Sequence, residues 1–273
     1  MKTRNWIGYT LYGILVTIIF LYWCFPTALL QNYIVSAATE ANPNIVLSIG
    51  KTGIEFPPAL KIEDLVFRMK QKAESTLEAD SVTVRPSLRN FLLRQSLFLI
   101  MARLYNGSML AHVNFKNHAG KESPVSIDLT LESINIGKCS YVRGTSGRQI
   151  NGFLTGSATF DGHWVNVLDG TGNAVFSLRT GSVRLLKPVF GFDTVDFDII
   201  EGSMDLKNRV LKINTINMAG KQINGSLKGT IFLREDITKS SLALTGNLEM
   251  PGLNRNLSVS LRGTIANPIP RFI

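Results

Sequence analysis

The sequence predicts a mainly β protein, of the α+β class, in which one N-terminal transmembrane helix and one or two short helices precede a large curved antiparallel sheet. Three observations lead to this prediction. An uncharged apolar run lies near the N-terminus, apolar and polar residues alternate with period two over most of the remaining chain, and turn signals separate the alternating runs.

The uncharged run covers residues 7–25, which include no Asp, Glu, Lys, Arg or His. A helix of these 19 residues would be about 28 Å long, close to the hydrocarbon thickness of a bilayer. Lys2 and Arg4 precede it, so residues 1–6 are predicted to stay in the cytoplasm as a short flank. Pro26 ends the helix, and everything after it is predicted to be exported.

Two processing alternatives compete with a retained anchor. Residues 36–38 (SAA) resemble the small residues before a signal-peptide cleavage site, but they begin ten residues beyond Pro26. Cys24 could suggest acylation as a lipoprotein, but the bulky Trp23 stands where such sites have small residues. The retained anchor is therefore preferred.

Composition restricts what the exported part can be. Cys139 is its only cysteine, so no intrachain disulfide can form there, and we expect this residue to be half-buried in a strand. The net charge is +9, from Lys and Arg that are scattered along the chain without a basic block, which argues against nucleic acid as a partner. Attraction to anionic lipid headgroups and simple solubility both remain open as uses of the charge.

The exported part is predicted to begin with helical structure. Residues 27–42 form a juxtamembrane amphipathic helix, and residues 43–273 form a β-rich domain with a second short helix that starts at Pro86. Residues 91–105 are apolar, but they are too short and too charged, with Arg94 and Arg103, for a second span.

The first strands are predicted at residues 97–105 and 108–115, joined by a hairpin turn at Asn106-Gly107. From there to the end, most runs have one apolar and one polar side, as in an antiparallel sheet with one wet face. Asp161-Gly162, Asp169-Gly170 and Asn224-Gly225 are predicted as turns. Glycines inside strands favour bends, so we expect a strongly curved sheet.

No pattern in the sequence indicates an active site. His112, His118 and His163 are the only histidines, and neither they nor the carboxylates form a motif with metal-ligand or nucleophile spacing. Asp196 and Asp198 fall on the wet side of a predicted strand. The chain is predicted not to be an enzyme, with no catalytic residues, no cofactor and no metal.

The apolar side of the sheet must be covered, because burial of one Leu, Ile or Phe contributes about 1.5–3 kcal/mol. In a closed sandwich it would face a second sheet. In an open curved sheet it could line a groove for an acyl chain or an apolar segment. Both arrangements give the same alternation, so the sequence leaves both open.

The order of segments resembles a known family. After the apolar run come residues 56–65 (FPPALKIEDL), residues 83–88 (TVRPSL), a β meander with many glycines, and residues 261–268 (LRGTIANP). This order is similar to that of protein N of the type II secretion system, GspN, and more distantly to the AsmA-like proteins of the diderm envelope. The resemblance covers nearly the whole chain, and its weight lies in the order and spacing of motifs that are each unspecific.

The resemblance implies a non-enzymatic accessory component in the inner membrane of a diderm bacterium, with a periplasmic domain that contacts other inner-membrane secretion components. The AsmA-like relatives imply an alternative, a lipid-binding or lipid-transfer module with phospholipid or acyl chains in an apolar groove. The residues expected along that groove are Leu129, Leu131, Phe176, Val195, Phe197, Ile199, Ile231, Leu233, Leu242, Leu244 and Leu248.

Overall fold

The computed structural model of the chain describes residues 27–41, 44–55, 59–70, 72–87, 96–116, 123–163, 166–189, 192–250 and 255–272, together with residues 9, 12, 13 and 16. Within these residues the chain is mainly β, as predicted. Fourteen strands form one open antiparallel sheet whose spatial order is the order of the sequence, so that each strand pairs with the strand before it and the strand after it.

The bounds of the elements are as follows. The helices are α1 (Thr27–Ala41) and α2 (Ser140–Ser146), and single 3-10 turns lie at Ile136–Lys138, Val167–Asp169 and Ile237–Lys239. The strands are β1 (Ile45–Glu55), β2 (Ala59–Met69), β3 (Lys72–Pro86), β4 (Ser96–Leu104), β5 (Gly107–Phe115), β6 (Pro124–Asn135), β7 (Ile150–His163), β8 (Thr171–Val189), β9 (Phe192–Lys207), β10 (Val210–Ala219), β11 (Asn224–Phe232), β12 (Ser241–Met250), β13 (Arg255–Thr264) and β14 (Pro268–Phe272).

The predicted membrane span, residues 7–25, falls mostly outside the described residues. Of that segment, Tyr9, Tyr12, Gly13 and Val16 are helical and exposed. None of the helices in the described part of the chain has the length and apolarity needed to cross a bilayer.

Helix α1 lies along β1, one of the two edge strands of the sheet. The Gln31 side-chain amide donates a hydrogen bond of 2.8 Å to the Ile49 carbonyl of β1, which has no strand on that side. Leu30 and Ile34 are half-buried on the side of α1 that faces β1, while Leu29 and Tyr33 are exposed on the other side. An unpaired edge is a template for aggregation, and α1 covers part of it.

The other edge strand, β14, is protected by proline. Pro268 and Pro270 have no N–H, so Ile269 and Arg271 must supply the amide hydrogen bonds to β13, opposite Arg262 and Ser260. The two prolines therefore remove outward-pointing donors from the free edge. Both edge strands of the sheet are therefore hindered from pairing with a strand of another molecule, β1 by the helix and β14 by its prolines.

The β4–β5 hairpin turns one residue earlier than predicted. Its turn residues are Tyr105 and Asn106, with φ of 51° and 66°, and Gly107 already pairs with Leu104. A Cβ on Gly107 would lie 2.5 Å from the Glu132 carbonyl oxygen. The glycine is thus required by the close approach of β6 and not by the turn.

Three other local predictions were wrong. Pro86 is the last residue of β3 and not the first turn of a helix, while residues 88–95 lie outside the described part. Asp161-Gly162 lies inside β7, and Asn224-Gly225 opens β11 without forming a turn itself. By contrast, Asp169-Gly170 does lie in the connection from β7 to β8, at the end of a 3-10 turn.

Helix α2 and Tyr105 form hydrogen bonds to the part of β3 that β4 is too short to reach. β4 pairs only with Ser81–Pro86 of β3, which leaves the first half of β3 without a strand on that side. The Tyr105 hydroxyl accepts a hydrogen bond of 2.8 Å from the Glu78 amide, and the Ser140 hydroxyl donates one of 3.0 Å to the Thr76 carbonyl. Cys139, at the start of α2, is buried in this junction and not in a strand as predicted.

In β8 and β9, the alternation of side chains between the apolar and polar faces changes phase near Thr180. Thr180 has φ of 48° and lies between the pairs Arg179↔Ile199 and Gly181↔Phe197. Phe197 is buried, whereas Ile200, three residues on, again faces the apolar side as the partner of Leu178 and Met218. Both strands change phase together, because the register of β8 with β9 is the same before and after Thr180, so the same face of the sheet stays apolar.

Candidate functional site

A continuous row of apolar residues crosses all fourteen strands. Each member is the direct cross-strand partner of the next, so all of them lie on one face of the sheet. From β1 to β14 the row, called here the central row, is Ile54, Leu60, Val84, Ile100, Ala111, Leu129, Ala158, Ala174, Met204, Ile213, Gly229, Leu244, Leu261 and Pro270.

Rows on either side of the central row are equally apolar. One includes Leu131, Gly156, Phe176, Gly202 and Ile216 in consecutive strands, and a single Thr52 in β1 is its one polar member. The other runs from Pro86 in β3 to Pro268 in β14 and includes Phe160, Ile231 and Leu242. The three rows form the middle of what we call the apolar face, which is the whole side of the sheet to which these residues point.

No separate second sheet covers this face, because the fourteen strands of the described residues all belong to one sheet. Close approach of the backbone is chiefly between sequence neighbours, apart from α1 with β1, α2 with β3 and two 3-10 turns with β7. Central-row side chains in β1 to β13 are nevertheless buried or half-buried, with Leu244 only 6% exposed. Among the described side chains of β1 to β13, the large apolar ones that are exposed lie on the opposite, polar face: Val46, Leu110, Phe153, Val175 and Phe232.

Large and small residues are paired across the strands of the apolar face. The Phe176 ring lies on Gly202, where a Cβ would be 2.4 Å from the ring edge. The Phe197 ring lies on Gly181 in the same way, with a corresponding distance of 2.5 Å. The rings therefore lie against the backbone of the neighbouring strand, which is how aromatic residues cover strand glycines. A ring that lies against the sheet occupies less of the space above the sheet than a ring that points away from it.

One margin of the apolar face is closed by a loop. Ile223, in the connection between β10 and β11, is 6% exposed and forms a buried cluster with Val195 of β9 and Met250 of β12. Met218, Leu248 and Leu257 pack against this cluster.

The structure brings nine of the eleven predicted groove residues onto the apolar face. These are Leu129, Leu131, Phe176, Val195, Phe197, Ile231, Leu242, Leu244 and Leu248. Ile199 lies on the polar face instead, because its cross-strand partners are the exposed Arg179 and Ala219. Leu233 lies one residue beyond β11, where its amide donates to the Arg209 carbonyl.

Sequence reasoning missed the first third of the face. Leu60, Val84 and Ile100 continue the central row into β2, β3 and β4. Period-two alternation was present there, in LKIEDLV of β2, but αL residues such as Asp64, with φ of 53°, shift the phase within a strand. The shift separates Ile62 from Leu65, which both face the apolar side.

The polar face has the charged groups. A cavity of 510 Å³ lies over β1 to β6 and is lined by Lys61 and Arg103 together with Glu55 and Glu132. Lys61 forms ion pairs of 3.3 Å with Glu55 and 3.1 Å with Glu63, and its pKa is raised by hydrogen bonding to Glu63 and then to Glu55.

Histidines and carboxylates do not converge within the described residues. His112 is exposed in β5 opposite Asp128, and His163 is exposed at the end of β7. His118 lies outside the described part. No group of three or more His, Cys, Asp or Glu in that part could hold a metal ion.

The chemistry of the apolar face is that of hydrocarbon. Apart from the Thr52 hydroxyl, the three rows present no hydrogen-bonding or charged side chain, so they can bind an apolar chain but cannot polarise a bond or move a proton. Comparison of the chain with protein-family models, with curated proteins and with solved structures gives no match.

Proposed function

We propose that this chain is a single-pass inner-membrane protein whose periplasmic sheet holds the acyl chains of phospholipid against its apolar face. The observation that carries the proposal is the uninterrupted central row, sheltered although the described residues provide no second sheet to cover it. Residues 7–25 would provide the anchor, and α1 the juxtamembrane segment.

The shelter of the apolar face supports a curved sheet. Large side chains on a flat, single-layered sheet would be well exposed, as Val175 and Phe153 are on the polar face at 52% and 47%. In β1 to β13, the described large side chains of the apolar face are buried or half-buried instead. Curvature toward the apolar face explains the difference, because it brings the side chains of that face together. The AsmA-like arrangement implied by the resemblance has this form.

The dimensions suit lipid. Fourteen strands spaced by ~4.8 Å give a row of about 62 Å, twice the hydrocarbon thickness of a bilayer. Each buried methylene of an acyl chain contributes about 0.8 kcal/mol. The half-buried state of Leu129, Phe176 and Leu242 leaves apolar area that an acyl chain could cover.

Site-specific photo-crosslinking tests the proposal with controls from neighbouring positions. A benzophenone amino acid at Phe176 or Leu242 lies on the apolar face, whereas one at Val175 or Ala243 lies on the polar face one residue away. In native membranes we expect phospholipid adducts at the first two positions and few at the other two. Equal adducts at all four, or none at Phe176 and Leu242, would refute lipid binding by this face.

An accessory role in type II secretion is the second candidate, and the order of segments along the chain is the observation that favours it. In that role the periplasmic sheet would contact other inner-membrane secretion components without catalysis. The same benzophenone variants provide the test, because positions on the polar face would then crosslink to secretion proteins. Repeated failure to recover any such protein from native membranes would count against this role.

A further inference from the structure

The net charge of the chain is concentrated at one end of the sheet. Residues 27–206 contain seventeen Lys and Arg and seventeen Asp and Glu, whereas residues 207–273 contain ten basic residues and only three acidic ones. The Lys and Arg residues form no block in the sequence, but the excess of positive charge lies within residues 207–273. Strands β10 to β14 and their loops hold most of the excess.

Four of these cations lie on the polar face, and none of them forms an ion pair with another described residue. Lys228 and Arg271 are the ends of one cross-strand row, with Thr245 and Ser260 between them. In the neighbouring row, Lys212 and Arg262 are separated by Thr230 and Ala243. All four side chains are exposed. We call this surface the basic patch; at ~4.8 Å per strand it is about 19 Å wide.

Nearby acidic groups neutralise only part of the patch. Within the described residues, basic groups of this region form two ion pairs, Arg209 with Asp169 and Lys239 with Asp236, and both are in loops beyond the strand ends. Asp205 is opposite Lys212 and offsets part of its charge, while its carboxylate also accepts a hydrogen bond of 2.7 Å from the Asn214 side chain. Glu249 is four residues along β12 from Thr245. The patch thus has an excess of positive charge.

Two exposed apolar side chains border the cations. Ile269 is 56% exposed and pairs with Arg262, and Phe232 is 51% exposed in β11, two residues from Thr230. Cations beside exposed apolar groups suit the headgroup region of a bilayer, where the cations meet phosphate and the apolar groups meet the upper acyl chains. Binding to an acidic protein surface would need only the cations and not the exposed apolar side chains.

We propose that the basic patch binds the surface of an anionic phospholipid bilayer. The inference rests on the membrane anchor of the proposed function, because tethering keeps the patch near lipid at high effective concentration. It does not depend on the apolar face, since the patch lies on the other side of the sheet. The two proposals can therefore fail separately.

The test uses the full chain reconstituted in nanodiscs. A donor dye on Ser258→Cys, exposed beside the patch, is combined with Cys24→Ser so that only the buried Cys139 remains as a natural thiol. Energy transfer to a headgroup-labelled lipid is measured in discs of phosphatidylcholine alone or with about 30 mol% phosphatidylglycerol. Capture of separate vesicles of the same compositions is measured in parallel, in case the patch faces away from its own membrane.

Charge reversal at Lys228, Arg262 and Arg271 to Glu is compared with the same reversal at Lys51, Arg179 and Arg184, which are exposed outside the patch. We expect phosphatidylglycerol to raise transfer or capture for the wild type, and about 0.5 M salt to abolish the effect. The patch variant should lose roughly 100-fold in affinity for anionic lipid, and the control less than about threefold.

Three results would overturn the proposal: no preference for phosphatidylglycerol in either arm, an equal loss in both variants, or a patch variant that loses only crosslinks to another protein. Photo-crosslinking at Phe176 in the patch variant separates the two hypotheses. Lipid adducts that persist there while the patch effect is absent would leave the proposed function standing.

Discussion

The Phe176 ring of β8 lies directly on Gly202 of β9, its cross-strand partner. On its other side Phe176 pairs with Gly156 of β7, so one aromatic residue is flanked by two glycines in a single row. At Gly202, a Cβ would be 2.4 Å from one ring atom and 2.6 Å from the next. The absence of a side chain at Gly202 therefore sets the orientation of the ring.

Gly202→Ala should destabilise the sheet by about 1–2 kcal/mol, because the Phe176 ring must leave its position. The lower midpoint of thermal unfolding, followed by circular dichroism, measures this. Gly53→Ala is the matched control: a Cβ there has no atom within 4 Å, and we expect no loss of stability. Phe176→Leu should recover part of the loss caused by Gly202→Ala; strictly additive effects would contradict the contact.

Tyr105→Phe should loosen the first half of β3. It removes the hydroxyl that accepts the Glu78 amide hydrogen bond and leaves that amide unpaired, at a cost of about 0.5–1.5 kcal/mol. Hydrogen exchange at Glu78 should become roughly tenfold faster, while exchange in β10 to β13 stays the same. An unchanged rate at Glu78 would show that Tyr105 does not protect this edge.

Acid should remove the contribution of the Asp169–Arg209 ion pair. The Arg209 guanidinium, 2.6 Å from the carboxylate, hydrogen-bonds to Asp169 and holds its pKa below the usual value. A lowered pKa in the folded state stabilises above the unfolded pKa of about 3.9, and this contribution is lost as pH falls through the folded pKa.

Asp169→Asn should therefore lower the unfolding midpoint at pH 7, and the difference from wild type should narrow on acidification. Both partners are exposed, so added salt should also reduce the difference. Asp198→Asn is the control, since Asp198 is exposed and the described residues show no ion pair for it. A gap between wild type and Asp169→Asn that does not change with pH would rule out this account.

Replacement of both Pro268 and Pro270 by Thr should make the protein self-associate. The substitutions restore outward N–H donors on β14, and Thr favours strands, so the free edge becomes able to pair with another copy. Analytical ultracentrifugation in detergent should show concentration-dependent dimers. Ile269→Thr adds no donor and should stay like the wild type; dimers of that variant too would point to another cause.

Period-two alternation was sufficient to predict an antiparallel sheet and most of one face, because each strand is wet on one side. It failed at Ile199, where the αL conformation of Thr180 in the adjacent strand accompanies a change of phase that alternation cannot reveal. It also failed at Asn106-Gly107, where the glycine is needed for contact with β6.

The extent of the apolar face and the basic patch needed the register of the strands. Lys212 and Arg262 are fifty residues apart in sequence, and only the pairing of β10 with β11, β12 and β13 places them in one row. The sequence shows that basic residues outnumber acidic ones in residues 207–273, but only the pairing of the strands shows that some of them share one surface. Whether the apolar face was covered by a second sheet was also undecidable from the sequence, since a core and a groove require the same residues.

The unbroken order of the strands, from β1 to β14, also has a consequence for how the molecule is assembled. Each new strand needs only its predecessor as a template, so hairpins can be added one at a time as the chain is synthesised. No strand waits for a distant partner to be synthesised. The length of such a sheet can change by whole hairpins without disturbing the strands already in place, so variation in size is easily tolerated by this architecture.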